Sequence, residues 1–364
     1  MPSDEWVRLA PDRHGRLRLR FGHGLFQRFA HAHTVRIVPF VPGHEVLARV
    51  TEVGKKVDSV REGDRVAVDP WLRCGLRGHA DCNRCEVGEY NTCESNATEP
   101  RKGMMIGACA DLPGGWCEEM VAHHSQLFTI PNRMSDDRAV LMEPMAVAVH
   151  AVARNLPRSG ERVLILGGGA IAFSVSTALR TMARDFDLTL FTLENDQAQL
   201  AKNFGANRAW TPQDGSLVDR AAEMTGAHVL KPILGSPFLA GGFDLVFDCA
   251  GNQRSIADSM GVARSGARIV MVGAAGVQPK LDLTHLWTKE LQFIGTLSYS
   301  HENFRGERRR TFDLTREILQ DIPFDVESLI THRYPLHEYQ SALRANLNRS
   351  ESHAIKTVIV GSAN

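Results

Sequence analysis

The stretch Glu161-Arg-Val-Leu-Ile-Leu-Gly-Gly-Gly-Ala-Ile-Ala172 constrains the fold of this chain more than any other. A short apolar, partly β-branched run ends in three glycines, and good helix formers occupy residues 173–184, so the order predicts a strand, a tight turn and a helix. That is half of a βαβ unit. Residues 188–193 (Leu-Thr-Leu-Phe-Thr-Leu) supply the next strand, and 196–204 a helix closed by Gly205, a suitable C-terminal cap. Two further buried-type strands are predicted at 243–249 and 268–272, each followed by glycine, the second by Gly273. Strands and helices alternate between about 155 and 295, which predicts an α/β domain with a doubly wound parallel sheet.

The turn itself, Gly167-Gly-Gly-Ala-Ile-Ala172, fits the Gly-x-Gly-x-x-Gly/Ala fingerprint of a Rossmann dinucleotide site. Gly167 permits the tight turn, Gly169 lets the backbone approach a pyrophosphate, and Ala172 is small enough for close packing of helix on strand. The pyrophosphate would rest on the helix N-terminus, at Ala170 and Ile171, where free N–H groups and the helix dipole favour an anion. A glycine-rich turn alone often serves only as a turn; the strand before it and the helix after it favour the cofactor reading. Gly273, after the last strand, is a further candidate cofactor contact. The ribose contact has two candidates. Glu194 could accept hydrogen bonds from both ribose hydroxyls and repel a 2′-phosphate, while Thr192 occupies the place of the usual acid when counted back from Phe204-Gly205-Ala206. No Lys or Arg lies between Thr192 and Asp196, so NAD is the expected cofactor, with NADP as the alternative.

The flanks read differently. Residues 1–130 hold short strand-like runs at 46–53, 65–68, 120–123 and 127–130, broken by Gly, Pro and Asp, which predicts an irregular β-rich domain. A helix near 311–319 and a strand near 355–360 are too little to fold alone, so the tail is expected to complete the first domain. The expected domains are 1–154 plus 296–364, and 155–295. Residues 226–242 read as a surface loop inserted between helix and strand.

Seven cysteines are present, and Cys74-x7-Cys82-x2-Cys85-x7-Cys93 places four of them in one glycine-containing loop, 74–93. Thiolates are soft donors suited to tetrahedral zinc, and Cys-x-x-Cys is the usual two-ligand knuckle. Four filled positions leave none open, so the site is expected to be structural. His79 is an alternative to Cys74 as the first ligand. Cys109, Cys117 and Cys249 read as small buried hydrophobes.

Composition limits the partners. Lys plus Arg and Asp plus Glu are 42 each, so no net field draws the chain to nucleic acid or to an anionic membrane. No run of about 18 uncharged apolar residues occurs, and the first residues lack a basic-then-apolar leader pattern. The expectation is a cytoplasmic protein acting on a small-molecule substrate, with no nucleic acid and no membrane.

Together, Gly43-His44-Glu45, the four-cysteine loop, Glu143-Pro144 and the glycine turn resemble the zinc-dependent medium-chain dehydrogenases and reductases, in particular the sorbitol and threonine dehydrogenase branch of the alcohol dehydrogenase superfamily. The likeness runs from about residue 40 to the C-terminus. It is carried also by Val41-Pro-Gly-His-Glu-Val, Gly63-Asp-Arg-Val, Gly114-Gly-Trp-Cys-Glu-Glu, Phe247-Asp-Cys-Ala-Gly251 and Lys289-Glu-Leu-Gln-Phe-Ile-Gly295. It implies a GroES-like β-rich catalytic domain beside the Rossmann domain, a homo-oligomer (dimer or tetramer), and zinc-assisted hydride transfer between a secondary alcohol and a nicotinamide. It implies that His44 is a catalytic-zinc ligand, Glu45 its neighbouring carboxylate, and Glu143 a ligand or an acid close to the ligands.

The family's first catalytic ligand, a cysteine in Cys-Gly-x-x-Gly-Ser/Thr-Asp, has no counterpart, because this chain has no cysteine before Cys74. The hydroxyl residue of that stretch that passes the alcohol proton onward also has none. His14, His23, His31 and His33 precede His44, and His23, in Phe21-Gly-His-Gly24, lies nearest the vacant place and is the candidate replacement. Three readings stay open: zinc with a substituted ligand set, catalysis without metal, or a fold that has lost the reaction. Three functions also stay open, separately from these: a dehydrogenase of a polyol or sugar-like secondary alcohol, an enzyme whose tightly held NAD serves a redox-neutral elimination or rearrangement, and a non-catalytic nucleotide-binding protein.

Remaining features read as structural. Glu118 and Glu119 are placed in a strand and assigned to folding. His123 and His124, as strand neighbours, are expected on opposite faces and so unable to share a metal. Arg308-Arg-Arg310 reads as a solvated helix start and not a phosphate clamp. Trp287 is expected either in a substrate pocket or in a packed subunit contact, and Asp248 and Gly251 as backbone-positioning residues beside the cofactor.

Overall fold

The computed structural model describes residues 4–10, 41–98, 103–108, 112–233 and 235–361. These fall into two compact units, one of residues up to 146 together with 298 onward, the other of residues 147–297.

In the first unit, β1 (Trp6–Ala10), β2 (Val46–Val53), β3 (Arg65–Val68), β4 (Met120–His123) and β5 (Leu127–Thr129) form an antiparallel sheet in the order β4-β1-β2-β3-β5. Alternation sets the buried face: Val46, Ala48 and Val50 of β2 meet Val7, Leu9, Val66, Val68, Met120 and Ala122 in one core. The strands expected at 46–53, 65–68 and 120–123 are found, and β1 is added to them. Glu118 and Glu119 lie in the irregular segment before β4 and not in a strand, both exposed, because pairing with β1 begins only at Met120. His123 and His124 also depart from expectation. The strand ends at His123, the chain turns into a 3-10 segment, and the two rings lie 4.5 Å apart instead of on opposite faces.

The second unit holds β6 (Arg162–Leu166), β7 (Asp187–Phe191), β8 (Arg208–Trp210), β9 (His228–Leu230), β10 (Phe238–Ala240), β11 (Phe243–Asp248), β12 (Ala263–Met271) and β13 (Gln292–Gly295). Six of these form a sheet in the order β13-β12-β11-β6-β7-β8, all neighbours parallel. Val163, Leu164 and Ile165 are wholly buried, as the central strand of a sheet covered on both faces must be. The predicted helices are Ala170–Met182 and Asn195–Asn203, the latter followed by Gly205 at φ 87°. The inserted segment is not a plain loop: β9 and β10 pair antiparallel as a hairpin, hidden from pattern reading because each strand has three residues with Pro232 and Gly235 between them.

The tail joins the first unit. Here β14 (His301–Phe304) and β15 (Glu307–Arg310) make a hairpin, the helix Thr311–Asp321 follows, and β16 (Ile330–Pro335) pairs parallel with β17 (Lys356–Val360). Arg308, Arg309 and Arg310 are strand residues, with the helix beginning only at Thr311. Each is engaged by protein: Arg308 by the Val87 carbonyl, Arg309 by Glu317, and Arg310 by Asp69 at 2.8 Å.

Candidate active site and four-cysteine site

The glycine turn follows β6 directly. Gly167 has φ 129°, a conformation that side chains with a Cβ rarely adopt, and Gly169 is the extended N-cap of the helix Ala170–Met182. Ala170 and Ile171 are buried, so the first helical turn offers backbone N–H groups and not side chains to an anion. Gly273 sits against Gly251: a Cβ added to Gly273 would lie 2.5 Å from the Gly251 nitrogen. Asp248, fully buried at the end of β11, accepts from the N–H groups of Ala250 and Gly251 at 3.0 and 2.9 Å and from the Ser255 hydroxyl at 2.9 Å. Burial pushes its carboxyl upward and the three donors oppose the shift. The ends of β6, β11 and β12 thus form one backbone edge beside the glycine turn.

At the end of β7, Thr192 is buried and donates its hydroxyl to the Glu194 carbonyl at 3.1 Å. That side chain is committed, and Glu194, the N-cap residue of the helix Asn195–Asn203, carries the carboxylate at this edge. Gln197, which sequence reading passed over, lies over the turn; a Cβ on Gly168 would meet its amide oxygen.

In the first unit, Cys74, Cys82, Cys85 and Cys93 bring their sulfurs within 4.8 Å of one another, with Cys74 and Cys93 at 3.4 Å. A tetrahedron with bonds of about 2.3 Å has sulfur–sulfur edges of about 3.8 Å, so the group suits zinc in size and in donor type. Burial works to raise the Cys82 thiol, but the N–H groups of Glu94, Cys85 and Arg84 outweigh it and bring the thiol down to about 6. Cys85 is pushed up by burial and by the neighbouring Cys93 and Cys82. Four thiols crowded in this way are the arrangement that a dication relieves. The loop is anchored through Tyr90, whose hydroxyl donates to Asp69 at 3.0 Å, and His301 contacts the Gly88 carbonyl at 2.8 Å.

His44 and Glu45 stand immediately before β2. The carbonyls of Val41, Pro42 and Gly43 accept from Gly114, Trp116 and Gly115 at 2.8, 3.0 and 2.9 Å. A Cβ on either Gly107 or Gly114 would collide with the Gly43 carbonyl, so three glycines stack beneath the motif. Glu143 lies in the first turn of the helix Met142–Ala153, where the dipole favours a carboxylate and Pro144 is tolerated. These elements bring His44, Glu45 and Glu143 together, one donor atom from each within 4.8 Å of the others. One imidazole and two carboxylates at that spacing fit a divalent metal. Two further residues join them that sequence reading missed. Lys356 of β17 forms an ion pair with Glu45, both side chains 1% exposed. Tyr299 is fully buried, and burial, with Glu143 next in weight, pushes its phenol far above the ordinary value. A lone lysine within Ala354-Ile-Lys-Thr-Val-Ile-Val360 was the available signal for the first; nothing local marked the second.

Several other candidates fall elsewhere. His23 and Cys109 lie outside the described residues. Cys117 and Cys249 are half-buried and not core residues; the Cys117 thiol donates to the Gly114 carbonyl at 3.1 Å, and burial pushes it up to about 11. Trp287, in the helix Thr284–Thr288, is 72% exposed and borders a cavity of about 550 Å3 with Ser265, Gly266 and Lys289. Among the described residues, the four cysteines and the His44 group are the only clusters of three or more that could hold a metal. No helix among the described residues is long and apolar enough to cross a membrane.

A glycine turn of the dinucleotide-binding type, and a histidine–carboxylate group on the unit that also carries four clustered thiols, are what a metal-dependent, nicotinamide-linked oxidoreductase requires. Comparison with known proteins makes the class specific. Residues 23–132 match the family model described as the alcohol dehydrogenase GroES-like domain, and 177–312 the one described as zinc-binding dehydrogenase. The chain is 28% identical over 297 residues to an L-idonate 5-dehydrogenase of Vitis vinifera, covering 81% of this chain and 72% of the relative. It is 26% identical over 320 residues to a sorbitol dehydrogenase of Arabidopsis thaliana, covering 88% and 79%. The crystal structure of galactitol-1-phosphate dehydrogenase from Escherichia coli shares the fold, with a TM-score of 0.74, 22% identity and coverage of 98% and 93%. The chain therefore belongs to the zinc-binding medium-chain dehydrogenases of the alcohol dehydrogenase superfamily, with a GroES-like and a Rossmann domain. It is an oxidoreductase of CH–OH groups in a zinc-binding dehydrogenase family.

Proposed function

We propose that this enzyme interconverts a polyol or sugar-like secondary alcohol and its ketone, with NAD preferred as hydride carrier. The observation that carries the reading is the convergence of His44, Glu45 and Glu143, donor atoms within 4.8 Å, on a unit that also holds a separate four-thiol group. The relatives named for idonate and sorbitol support the substrate class.

His44 and Glu143 would hold the metal, which when bound supplies a Lewis acid for the substrate oxygen. Glu45, paired with Lys356, adds a second carboxylate to the site. The helix start at Glu143 and the stacked glycines beneath Gly43 limit rearrangement, so the ligands are held before substrate arrives. The N–H groups at Gly169, Ala170 and Ile171 orient the pyrophosphate, Gly167 and Gly273 let the backbone come close, and Glu194 would accept from the ribose hydroxyls. Thr192 serves by holding the Glu194 backbone. Cys74, Cys82, Cys85 and Cys93 would carry a structural zinc.

We infer also that copies associate: β13 is an edge strand of its sheet, with Phe293 on it and Trp287 just before it both exposed, a combination that unprotected monomers avoid. A cytoplasmic location is part of the same proposal. The reading is tested by following NADH formation with sorbitol, xylitol, ribitol and L-idonate, for the native chain and for His44→Ala. Turnover of at least one polyol, lost in His44→Ala, is expected. Retained NAD with no NADH from any alcohol would overturn it in favour of redox-neutral chemistry.

A further inference from the structure

We propose that His44, Glu45 and Glu143 form a divalent-metal site without a thiol, one that takes manganese(II) and cobalt(II) as well as zinc, whereas the four-cysteine loop retains its zinc and disfavours manganese. The inference rests on the reading that this group is the metal site of the dehydrogenase reaction, and it goes on to specify which ions the site accepts.

The donors decide it. One imidazole nitrogen and carboxylate oxygens from two glutamates lie within 4.8 Å of one another, and no sulfur is among them. Of the seven cysteines, four make the loop cluster. The Cys117 thiol donates to a carbonyl 3.1 Å away, and Cys249 belongs to the other unit, its Cβ 3.5 Å from the position a Cβ on Gly167 would take. Cys109 lies outside the described residues and is addressed by the experiment. Soft thiolates favour zinc strongly over manganese, whereas carboxylate oxygens are hard donors that narrow the difference and suit manganese and iron.

Charge points the same way. Two carboxylates face the site, and Lys356 offsets the charge of Glu45 from within the protein. A dication then meets about one net negative charge, in contrast to the several negative charges of a thiolate cluster, and no covalent metal–sulfur character. Such a site should release its ion to a chelator before the loop does and accept replacements of similar size.

The holoenzyme is dialysed against EDTA until about one zinc per chain remains, and cobalt(II) or manganese(II) chloride is then added. The expected result is binding of about one further ion per chain: cobalt with visible d–d absorption but no thiolate-to-cobalt charge-transfer band, and manganese with loss of the free aqua-ion EPR signal. His44→Ala should weaken both by about a hundredfold or more, and Cys109→Ser should change neither. If His44→Ala does not fold, Glu143→Gln makes the same comparison. A charge-transfer band that Cys109→Ser abolishes would overturn the thiol-free site and leave the dehydrogenase reading intact. Absence of any second bound ion would also overturn it; the dehydrogenase reading would fall with it only if no alcohol were oxidised.

Discussion

Lys356 and Glu45 form an ion pair in which neither side chain keeps more than 1% of its surface exposed. A buried pair gains little over two apolar residues, but removal of one partner leaves a charge with neither water nor counter-ion, at a cost of about 3–5 kcal/mol. Lys356→Met should therefore lower the unfolding free energy by about that amount, and Glu45→Gln added to it should recover most of the loss. Urea unfolding of the two single variants and the double variant measures this. Additive losses would show that the two side chains do not depend on one another.

The four-cysteine loop should behave as a metal-dependent folding element, since metal binding to such groups contributes folding free energy directly. In Cys85→Ser the zinc content should fall by about one per chain, and the loop around Val87 and Gly88 should become sensitive to protease. Metal analysis and limited proteolysis would reveal this. Full zinc content in the variant would show that His79 or another residue supplies the fourth ligand.

Cofactor choice should turn on Glu194, because Thr192 has already committed its hydroxyl to the Glu194 carbonyl. Glu194→Arg removes an acceptor for the ribose hydroxyls and adds a partner for a 2′-phosphate. The ratio of kcat/KM for NAD over NADP should drop by about tenfold or more, the scale of one or two charge-assisted hydrogen bonds. An unchanged ratio in steady-state kinetics would place the ribose contact elsewhere.

Gly273 and Gly251 approach so closely that a single added methyl group meets backbone, at 2.5 Å from the Gly251 nitrogen, and backbone cannot yield as a side-chain tip can. Gly273→Ala should destabilise the chain by about 1–3 kcal/mol and raise the Kd for NAD, since the same edge faces the dinucleotide. Thermal melting with and without NAD separates the two effects. A variant that matches the native chain in both would mean that the edge is free to shift.

Much of the Rossmann unit was legible in order because its strands are buried on both faces and its turn needs glycine, two requirements written into consecutive residues. The hairpin of β9 and β10 was not, since three-residue strands carry too few positions to show a period. His123 and His124 were misread for a related reason: side-chain alternation holds only within a strand, and the strand stops between them. The histidine–carboxylate group and the surroundings of the glycine turn were legible only in part. Gly43-His44-Glu45 and Glu143-Pro144 stand out as motifs, but Tyr299 and Gln197 have no distinguishing neighbours.

By itself, the sequence determined the α/β alternation, the glycine turn and the four-thiol spacing, because each depends on residues close together in the chain. It also determined that no cysteine lies between residue 1 and Cys74, and so set the chemical problem of the His44 group. Only the tertiary structure decided that Glu143 stands beside His44 and Glu45, and that Lys356 answers Glu45. Those relationships join residues on different strands and helices, where position depends on the packing of whole elements and not on the preferences of neighbours.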